Sequence, residues 1–568
     1  MASLKKELPE LRKILVLRVR RIQTSRVPPW AKVALSLFGL TVFYVVTAVG
    51  NRSETDDAFG YAQAIEHGPL RELVGPQSAR HLLFLPLFRG LYLALRWTGL
   101  HARAYDEVRF VSAVIAACAV TLMAVLLRRR FGLSKLTSLA GAAGLAVSYG
   151  FWRYANEAEV YSIAILLMLL ICWIAFADGV STRASMAAGA VAALAVLIDA
   201  EVAVTAFVAV PIAFLLRRRF RRLAVYCMVL ILLLAVFTLA LYRYSHPQGK
   251  TFVSYVLGAS APERHGLTGK YSPSTAPSSL IAFGQTVTAG NFLFAYPSIA
   301  QRLREALPNR RVALAYAAER ASPAVRLLAP ILLAALLFVT VSLLLSLRSQ
   351  PRRRLDAKLI GVASWFVSLG VVLAGRNSNP EAWILELPAI WILIAALLFE
   401  PMGSQTRRRI IILVPLCLLA FNAVSGFWIM RSKAYDLNIL KAQWLLSNAG
   451  VGDAVLTADN GKFGLYLQYY SRANVQCLEG RTASQLRHLY ERVLHDARHL
   501  YITGDIFNPP RSPYLDAKRR RRIVNFGASI RPSLEKIIDD EFGGIYVPGT
   551  ARSSRLKGSN LPTEVACF

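Results

Sequence analysis

The sequence predicts an α-helical polytopic membrane protein with about eleven transmembrane helices, one interfacial helix and a small extracytoplasmic C-terminal α/β domain. The first observation is composition: 55% of the 568 residues are hydrophobic and the mean hydropathy is +0.42, which is too apolar for a soluble protein of this size. The second is a series of apolar runs near the length of about 20 residues that crosses a bilayer. The third is a set of arginine clusters where those runs end.

Twelve apolar runs are long enough, or nearly so, to cross the hydrocarbon layer as helices. They cover residues 31–50, 81–98, 108–127, 134–150, 160–177, 184–198, 200–216, 223–243, 325–347, 359–375, 383–399 and 410–430. The formal net charge of +32 is concentrated beside them, at Arg128–Arg130, Arg217–Arg222, Arg352–Arg354 and Arg407–Arg409. This positive-inside pattern explains the charge and argues against nucleic acid as a partner.

The charges also predict the topology. Segment 1–30 and the arginine clusters stay in the cytoplasm, so the domain 31–430 exposes outer loops 51–80, 151–159, 244–324 and 376–382. Run 81–98 must then begin and end on the same side. It carries Pro86 and a central Arg89, which is costly at mid-bilayer, so we predict an amphipathic helix in the interface. The alternative is a true span with a miscounted run elsewhere.

The segment 431–568 has a different texture and is predicted to lie outside the cytoplasm. "GDAVLTADN" and "RHLYITGDIF" are typical of short strands, and "GKFGLYLQYYS" and "ASQLRHLYERVLHDA" of helices. This alternation over 440–545 predicts a small α/β layer domain, followed by a disordered tail.

Two groups of acidic residues face the outer compartment in this topology. Asp57 and Tyr61 are four residues apart and share a helix face, with Asp56 beside them. The alternative is that Ser53 caps a helix whose first turn favours acids. Glu157 and Glu159 lie in a short gap between two apolar runs. They could equally mark the water boundary, and the aromatic residues around them, Trp152, Tyr154 and Tyr161, could belong to an interfacial belt.

Three segments resemble the GT-C glycosyltransferases. "ETDDAFGYAQAIE" resembles their first outer loop, and "SYGFWRYANEAEVYSIAILL" closely resembles the W…EvY stretch of the protein O-mannosyltransferase-like members. "GRNSNPEAWILELPAIWIL" is similar to their late outer loop. The resemblance covers roughly residues 30–430, and the W…EvY match is the most specific. The Asp56-Asp57 doublet departs from the Asp-Glu that is more common in this family. Which of the two aspartates is the catalytic base therefore stays open.

The resemblance implies an inverting glycosyltransferase that moves a sugar, a hexose such as mannose, from a polyprenyl-phosphate carrier to an acceptor outside. Protein hydroxyls are the favoured acceptors, with lipids and cell-wall glycans as the alternatives. One carboxylate takes the acceptor proton and cations hold the leaving phosphate. Asp57 is the predicted base, with Asp56 second, and Glu157 and Glu159 position the acceptor, the sugar or a metal. Substrate-binding residues are predicted to be Tyr61, Arg80, His81, Trp152, Arg153, Tyr161, Arg376, Asn377, Asn379, Glu381 and, from the loop 244–324, His265.

The sequence leaves both the cofactor and the functional class of the protein open. No cofactor is firmly required: the sequence has no His/Cys cluster with metal spacing, although carboxylates alone could hold Mg²⁺ or Mn²⁺. The alternative functions are a transporter or flippase of lipid-linked sugars, which would carry paired ionisable residues near mid-membrane, and a non-catalytic scaffold. The predicted location is the bacterial inner or plasma membrane, or the endoplasmic reticulum of a eukaryote.

Overall fold

The structure is a computed structural model that describes a large part of the chain. The described residues are 28–52, 57–74, 81–245, 251–252, 255, 276–306, 317–318, 320, 323–347, 356–374, 380–400, 405–458, 462–509, 517–540 and 543–549. The N-terminal segment before residue 28 and the predicted disordered tail therefore lie outside the described residues, as do most of loop 244–275 and residues 375–379.

Helices dominate the first three quarters of the chain. They are α1 Pro29–Val46, α2 Asp57–His67, α3 Leu70–Leu73, α4 Phe84–Trp97, α5 Ala104–Arg129, α6 Lys135–Val147, α7 Tyr149–Tyr154, α8 Tyr161–Ala175, α9 Thr182–Ile198, α10 Val210–Leu216, α11 Phe220–Ser245, α12 Ala276–Val287, α13 Pro297–Ala306, α14 Pro323–Leu347, α15 Ala357–Ala374, α16 Leu387–Leu393, α17 Gln405–Asn422 and α18 Trp428–Arg431. Shorter 3-10 or π-helical turns join this series at Ala200–Val202, Thr205–Ala209, Asn291–Ala295, Pro380–Glu386, Ile394–Phe399 and Ala423–Phe427.

Apolar helices recur where the sequence predicts spans. Within the described residues, five helical stretches are long and apolar enough to cross a membrane by length and composition, and six shorter apolar helices accompany them. The five are Ala104–Arg129, Phe220–Ser245, Pro323–Leu345, Glu381–Phe399 and Arg408–Arg431. The six are Trp30–Val46, Lys135–Val147, Tyr161–Ala175, Thr182–Ile198, Ala200–Leu216 and Ala357–Val371. Each coincides with a predicted run, and run 81–98 is in neither group.

Helix α4 occupies that remaining run and is amphipathic. Its buried side, which includes Phe84, Phe88 and Tyr92, packs against α2 and α5, while Leu93 and Trp97 on the other side are exposed. The guanidinium of Arg89 donates a hydrogen bond to the Ile65 carbonyl of α2. These contacts suit a helix that lies along the outer face, and the interfacial placement of α4 stays a prediction.

Cysteine labelling tests that placement. In a background whose native cysteines are replaced by alanine, His101→Cys after α4 is expected to react with a membrane-impermeant maleimide from the outer side of intact cells. Arg129→Cys, at the far end of α5, is the matched control and is expected to react only after permeabilisation, since α5 crosses the bilayer. Protection of residue 101 until permeabilisation would make α4 a true span.

Close packing fixes the base of the outer segment that carries Glu157 and Glu159. A Cβ on Gly144 of α6 would lie only 2.3 Å from the Trp391 ring of α16, so the helices meet at a small residue. The Trp391 indole donates to Ser148 Oγ at 2.9 Å. Asn422 Nδ2 of α17 donates to the Val147 carbonyl at 2.8 Å. The short helix α7 therefore starts from a rigid point.

The C-terminal part is an α/β layer domain with a mixed five-stranded sheet. Its elements are α19 Leu437–Asn448, β1 Ala454–Thr457, α20 Lys462–Tyr470, β2 Asn474–Cys477, α21 Ala483–Asp496, β3 Leu500–Thr503, α22 Ala517–Ile530, β4 Leu534–Asp540 and β5 Gly543–Pro548. The strand order is β2-β1-β3-β5-β4. Strand β1 pairs in parallel with β2 and β3, and β5 pairs antiparallel with β3 and β4. The two strands and two helices predicted from the sequence are present.

The two faces of this sheet serve different cores, because side chains alternate along each strand. Leu456 and Ile502 face a small core that α21 and α22 cover. Val455 and Tyr501 face the opposite way and join the main core of the protein. The Tyr501 ring meets Trp444 of α19 at 5.5 Å. The sheet therefore sits with one face toward α19, α20 and the helical domain.

Candidate functional site

Helix α2 carries the first acidic residue of the candidate site. The chain enters its loop from a fixed point, since the amides of Gly50 and Asn51 both donate to the Met430 carbonyl at 2.9 and 2.8 Å. Asp57 begins α2 and is exposed, where the positive end of the helix dipole favours a carboxylate. Tyr61 lies one turn later on the same face, as predicted from their spacing.

Four carboxylates are close enough to Tyr61 for their charges to act on its hydroxyl. Burial raises the pKa of the Tyr61 hydroxyl well above its usual range. Negative charges nearby raise it further, and they belong to Asp57, Glu159, Glu381 and Asp199. The charge of Glu201 acts on the neighbouring Tyr161, together with those of Glu381 and Glu159. We call Asp57, Glu159, Asp199, Glu201 and Glu381 the carboxylate cluster.

Different segments supply the members of this cluster. Glu159 is buried in the turn between α7 and α8. Glu381 lies on the 3-10 turn Pro380–Glu386, where its Oε1 accepts a hydrogen bond of 2.9 Å from the hydroxyl of Tyr161, the first residue of α8. The cluster therefore stands at the ends of several membrane helices on the side that the topology assigns to the outer compartment.

Asp199 and Glu201 join the cluster although the sequence analysis did not select them as site residues. Asp199 ends α9, and its Oδ1 accepts from the Glu201 amide at 3.0 Å. The backbone here is tied to the start of α4, because the Leu83 amide donates to the Leu197 carbonyl at 2.9 Å. The signal available in the sequence was the tripeptide "DAE", in which two acids flank one alanine between two apolar runs.

Glu157 lies elsewhere, although only one residue separates it from Glu159. Its buried Oε2 accepts a hydrogen bond of 3.1 Å from the Tyr105 hydroxyl of α5. Its charge acts on Arg52 and Tyr105. The turn therefore points its two glutamates toward different groups, and only Glu159 is placed with Tyr61.

Two other predicted binding residues are buried. The Trp152 side chain is 0% exposed, and its ring stacks on Phe427 with centroids 3.9 Å apart. Its indole nitrogen donates to Thr47 Oγ1 at 2.8 Å. Arg153 is also buried, and its guanidinium lies 5.2 Å from the centre of the Tyr154 ring. Trp152 therefore packs beneath the outer segment, with no face of its ring exposed.

His81 is placed beside the cluster. Its ring is 5.9 Å from that of Tyr61, in an edge-to-face arrangement, and its Nδ1 lies 3.3 Å from the Ile198 carbonyl. His81 therefore lies next to Tyr61, where it is a candidate to bind an anionic group. The remaining predicted residues lie outside the described part of the chain: Asp56, Arg80, His265, Arg376, Asn377 and Asn379.

The oxygen-rich cluster has the donor chemistry of a hard divalent cation such as Mg²⁺ or Mn²⁺. Among the described residues, no group of three or more His, Cys, Asp or Glu is arranged to hold a metal ion. The arrangement that is present is one exposed carboxylate, Asp57, beside two buried acids, two partly buried acids and two tyrosines. It suits proton transfer to Asp57 and hydrogen bonding to a polar, hydroxyl-rich molecule.

Comparisons with known proteins place the fold. No family model matches the sequence, and no curated protein matches it significantly. Solved structures do match. Cupriavidus metallidurans ArnT bound to undecaprenyl phosphate gives a TM-score of 0.55 at 10% identity, covering 92% of this chain and 99% of that chain. The same enzyme in the apo state gives 0.50 at 10% identity, covering 92% and 98%. An apo oligosaccharyltransferase from Archaeoglobus fulgidus gives 0.49 at 10% identity, covering 85% and 70%. The two ArnT matches span nearly the whole of both chains and show a shared fold.

Proposed function

We propose that this chain, which has the GT-C fold, is a membrane glycosyltransferase that moves a sugar from a polyprenyl-phosphate carrier to an acceptor in the outer compartment. The observation that carries the proposal is the carboxylate cluster, gathered from separate segments around Tyr61 with one exposed member, Asp57. The undecaprenyl phosphate bound to ArnT, a protein of the same fold, supports a lipid-phosphate carrier.

The chemistry assigns each group a task. Asp57 takes the proton of the acceptor hydroxyl as that oxygen attacks the anomeric carbon from the side opposite the phosphate, so the configuration inverts. The polyprenyl phosphate leaves as an anion and needs cationic or hydrogen-bonding partners. Among the residues that the structure describes, His81 and Arg153 are the candidates for binding this phosphate. Arg80 and Arg376 are further candidates from the sequence. Glu159 and Glu381 hold sugar or acceptor hydroxyls.

The substrates are proposed from the sequence resemblance. The W…EvY stretch favours a hexose such as mannose and protein hydroxyls as acceptors, with glycans as the other acceptor class. A requirement for a divalent cation, Mg²⁺ or Mn²⁺, is tested by EDTA treatment followed by metal addition, since no three described His, Cys, Asp or Glu residues are arranged to hold one. The C-terminal domain stands beside α2, where it can contact an acceptor.

A flippase of lipid-linked sugars is the second candidate, and Glu386 favours it. This carboxylate lies within the apolar stretch Glu381–Phe399, is 0% exposed, and neither of its oxygens has a hydrogen-bond partner among the described residues. Ionisable residues inside membrane segments often line transport pathways. The carboxylate cluster lies at helix ends, which favours the transferase.

The test supplies purified protein in detergent with a panel of radiolabelled polyprenyl-phosphate sugars and with peptide or glycan acceptors. We expect release of polyprenyl phosphate and a labelled acceptor with at least one donor. A matched assay in proteoliposomes follows movement of the labelled lipid between leaflets. Translocation without any transfer to an acceptor would replace the transferase with the flippase.

Tyr161→Phe tests the hydrogen bond inside the cluster. The substitution keeps the ring and removes the hydroxyl that donates to Glu381. Because hydrogen bonds to charged groups are worth about 1.5–3 kcal/mol, kcat/KM is expected to fall at least about tenfold. Tyr244→Phe, on the exposed part of α11, is the control and should keep wild-type activity. Equal activity in both variants would show that Glu381 does not need Tyr161.

A further inference from the structure

Helix α2 has two opposite faces with different neighbours. Asp57 and Tyr61 share the face toward the carboxylate cluster. Phe59 and Glu66 are seven residues apart and so share a face, about 200° around the helix from Tyr61 at 100° per residue. That second face meets the C-terminal domain. Any element that holds the second face therefore also sets the position of Asp57.

Aromatic side chains surround Phe59 on this second face. Helix α20 contributes three tyrosines, with ring centroids 5.4, 5.9 and 5.7 Å from that of Phe59 for Tyr466, Tyr469 and Tyr470. Tyr105 of α5 stacks on Phe59 at 5.0 Å. Helix α2 is thus packed between the helical domain and α20, and the packing is apolar and close.

Several hydrogen bonds at the C-terminal end of α2 accompany this packing. Glu66 Oε1 accepts from the Tyr469 hydroxyl, from Arg103 Nε and from the Ala104 amide, each at 2.8 Å. The Tyr469 hydroxyl in turn accepts from the Tyr105 amide at 3.1 Å. Arg103 Nη2 closes the group by donating to the Tyr469 carbonyl at 2.8 Å. We call Glu66, Arg103, Tyr105 and Tyr469 the docking group.

The docking group holds Glu66 as a carboxylate. Burial alone raises the pKa of Glu66, but hydrogen bonds from Arg103, the Ala104 amide and Tyr469 outweigh it and lower the pKa below its usual range. Charged acceptors make stronger and more directional hydrogen bonds than neutral ones. One hydroxyl, that of Tyr469, therefore links the C-terminal domain to α2 and to the start of α5.

We propose that Tyr469 is a positioning residue: through Glu66 it holds α2 in the place where Asp57 reaches the acceptor, so the C-terminal domain completes the active site. The catalytic consequence rests on the proposed function, whereas the structural coupling does not. A misplacement of about 1 Å can cost a factor of up to 10² in rate, so the effect belongs in kcat. The docking group lies on the face of α2 opposite Tyr61, so the KM of the donor lipid should not change.

The experiment compares Tyr469→Phe with Tyr490→Phe in the full-length protein. Tyr469→Phe removes only the hydroxyl of the docking group. Tyr490 lies in the same domain, packs on Phe526 at 6.0 Å and belongs to the small core behind the sheet. For Tyr469→Phe we expect kcat to fall about tenfold and donor KM to stay within about twofold. The melting temperature should lie only a few degrees below that of Tyr490→Phe, because one buried hydrogen bond to a carboxylate is lost.

A second measurement does not depend on activity. Amide hydrogen exchange in residues 57–67 is expected to accelerate about tenfold in Tyr469→Phe and to stay at the wild-type rate in Tyr490→Phe. Adding Glu66→Gln to Tyr469→Phe should cost less than the sum of the two single changes, because both remove the bond between Tyr469 and Glu66. Unchanged exchange in α2, or equal losses of kcat in the two tyrosine variants, would overturn the proposal. If the wild type transfers no sugar while exchange responds as expected, the proposed function fails and the coupling stands.

Discussion

Asp57→Asn is expected to lower kcat for sugar transfer about 10³-fold, the range of a lost general base. Asparagine has nearly the same shape and is accepted at the start of a helix, so the exposed N-terminus of α2 should remain folded. It cannot take a proton from the acceptor hydroxyl at neutral pH. Single-turnover transfer of labelled sugar, with melting temperature as the folding check, measures the effect.

Glu157→Gln is the matched control for that experiment. Its amide oxygen can still accept from the Tyr105 hydroxyl that holds Glu157, so kcat is expected to stay within about threefold. Asp56→Asn completes the set, because the sequence left the two aspartates open. Full activity in Asp57→Asn with loss in Asp56→Asn would transfer the base to Asp56.

Trp152→Ala is expected to destabilise the protein by about 3–5 kcal/mol. The substitution removes a fully buried ring, its stacking on Phe427 and its hydrogen bond to Thr47. Unfolding in detergent, followed by circular dichroism, measures the loss. The control is Trp97→Ala at the exposed end of α4, where the side chain is 91% exposed and the change should be within about 0.5 kcal/mol.

The opposite pattern would support the substrate-binding role predicted for Trp152 from the sequence. If Trp152→Ala keeps its stability and loses affinity for the lipid donor or the acceptor, the ring contacts substrate and the outer segment must open to expose it. A stability loss with unchanged KM in the residual folded protein supports packing alone.

Helical periodicity and charge predicted the regular helices of the molecule. The apolar helices coincide with predicted runs, and the spacing of Asp57 and Tyr61 correctly placed both on one face of a helix. The amphipathic pattern of α4, with a bonded Arg89, was also visible in advance. These features follow from local sequence because a helix has a fixed period.

The candidate site was only partly predictable because turns have no such period. Glu157 and Glu159 looked equivalent, yet the backbone between α7 and α8 sends them to different groups. Asp199 and Glu201 were not predicted as site residues, because acids between two apolar runs are also typical of the boundary between membrane and water. No local pattern connects Glu66 with Tyr469, which depends on the complete fold.

The sequence predicts β1 and β3 but not β2, β4 or β5. The interior strand β5, "GGIYVP", begins with two glycines, which are rare in strands and weaken the signal. β1 and β3 are central and fully buried, and their apolar runs predicted them. β2 and β4 are edge strands with polar residues, "NVQC" and "LEKIIDD". An edge strand has one unpaired side, so it needs fewer apolar residues and gives a weaker signal.

The bond between Glu66 and Tyr469 joins residues 403 positions apart, which has a consequence for biosynthesis. A ribosome adds about 5–20 residues per second, so α2 emerges about 20–80 s before its partner helix α20 is synthesised. During that interval the nascent chain lacks the element that holds α2 against α5. The proposed transferase should therefore remain inactive in the membrane until translation ends and the C-terminal domain has folded. Chains truncated before α20 would insert normally and still lack activity.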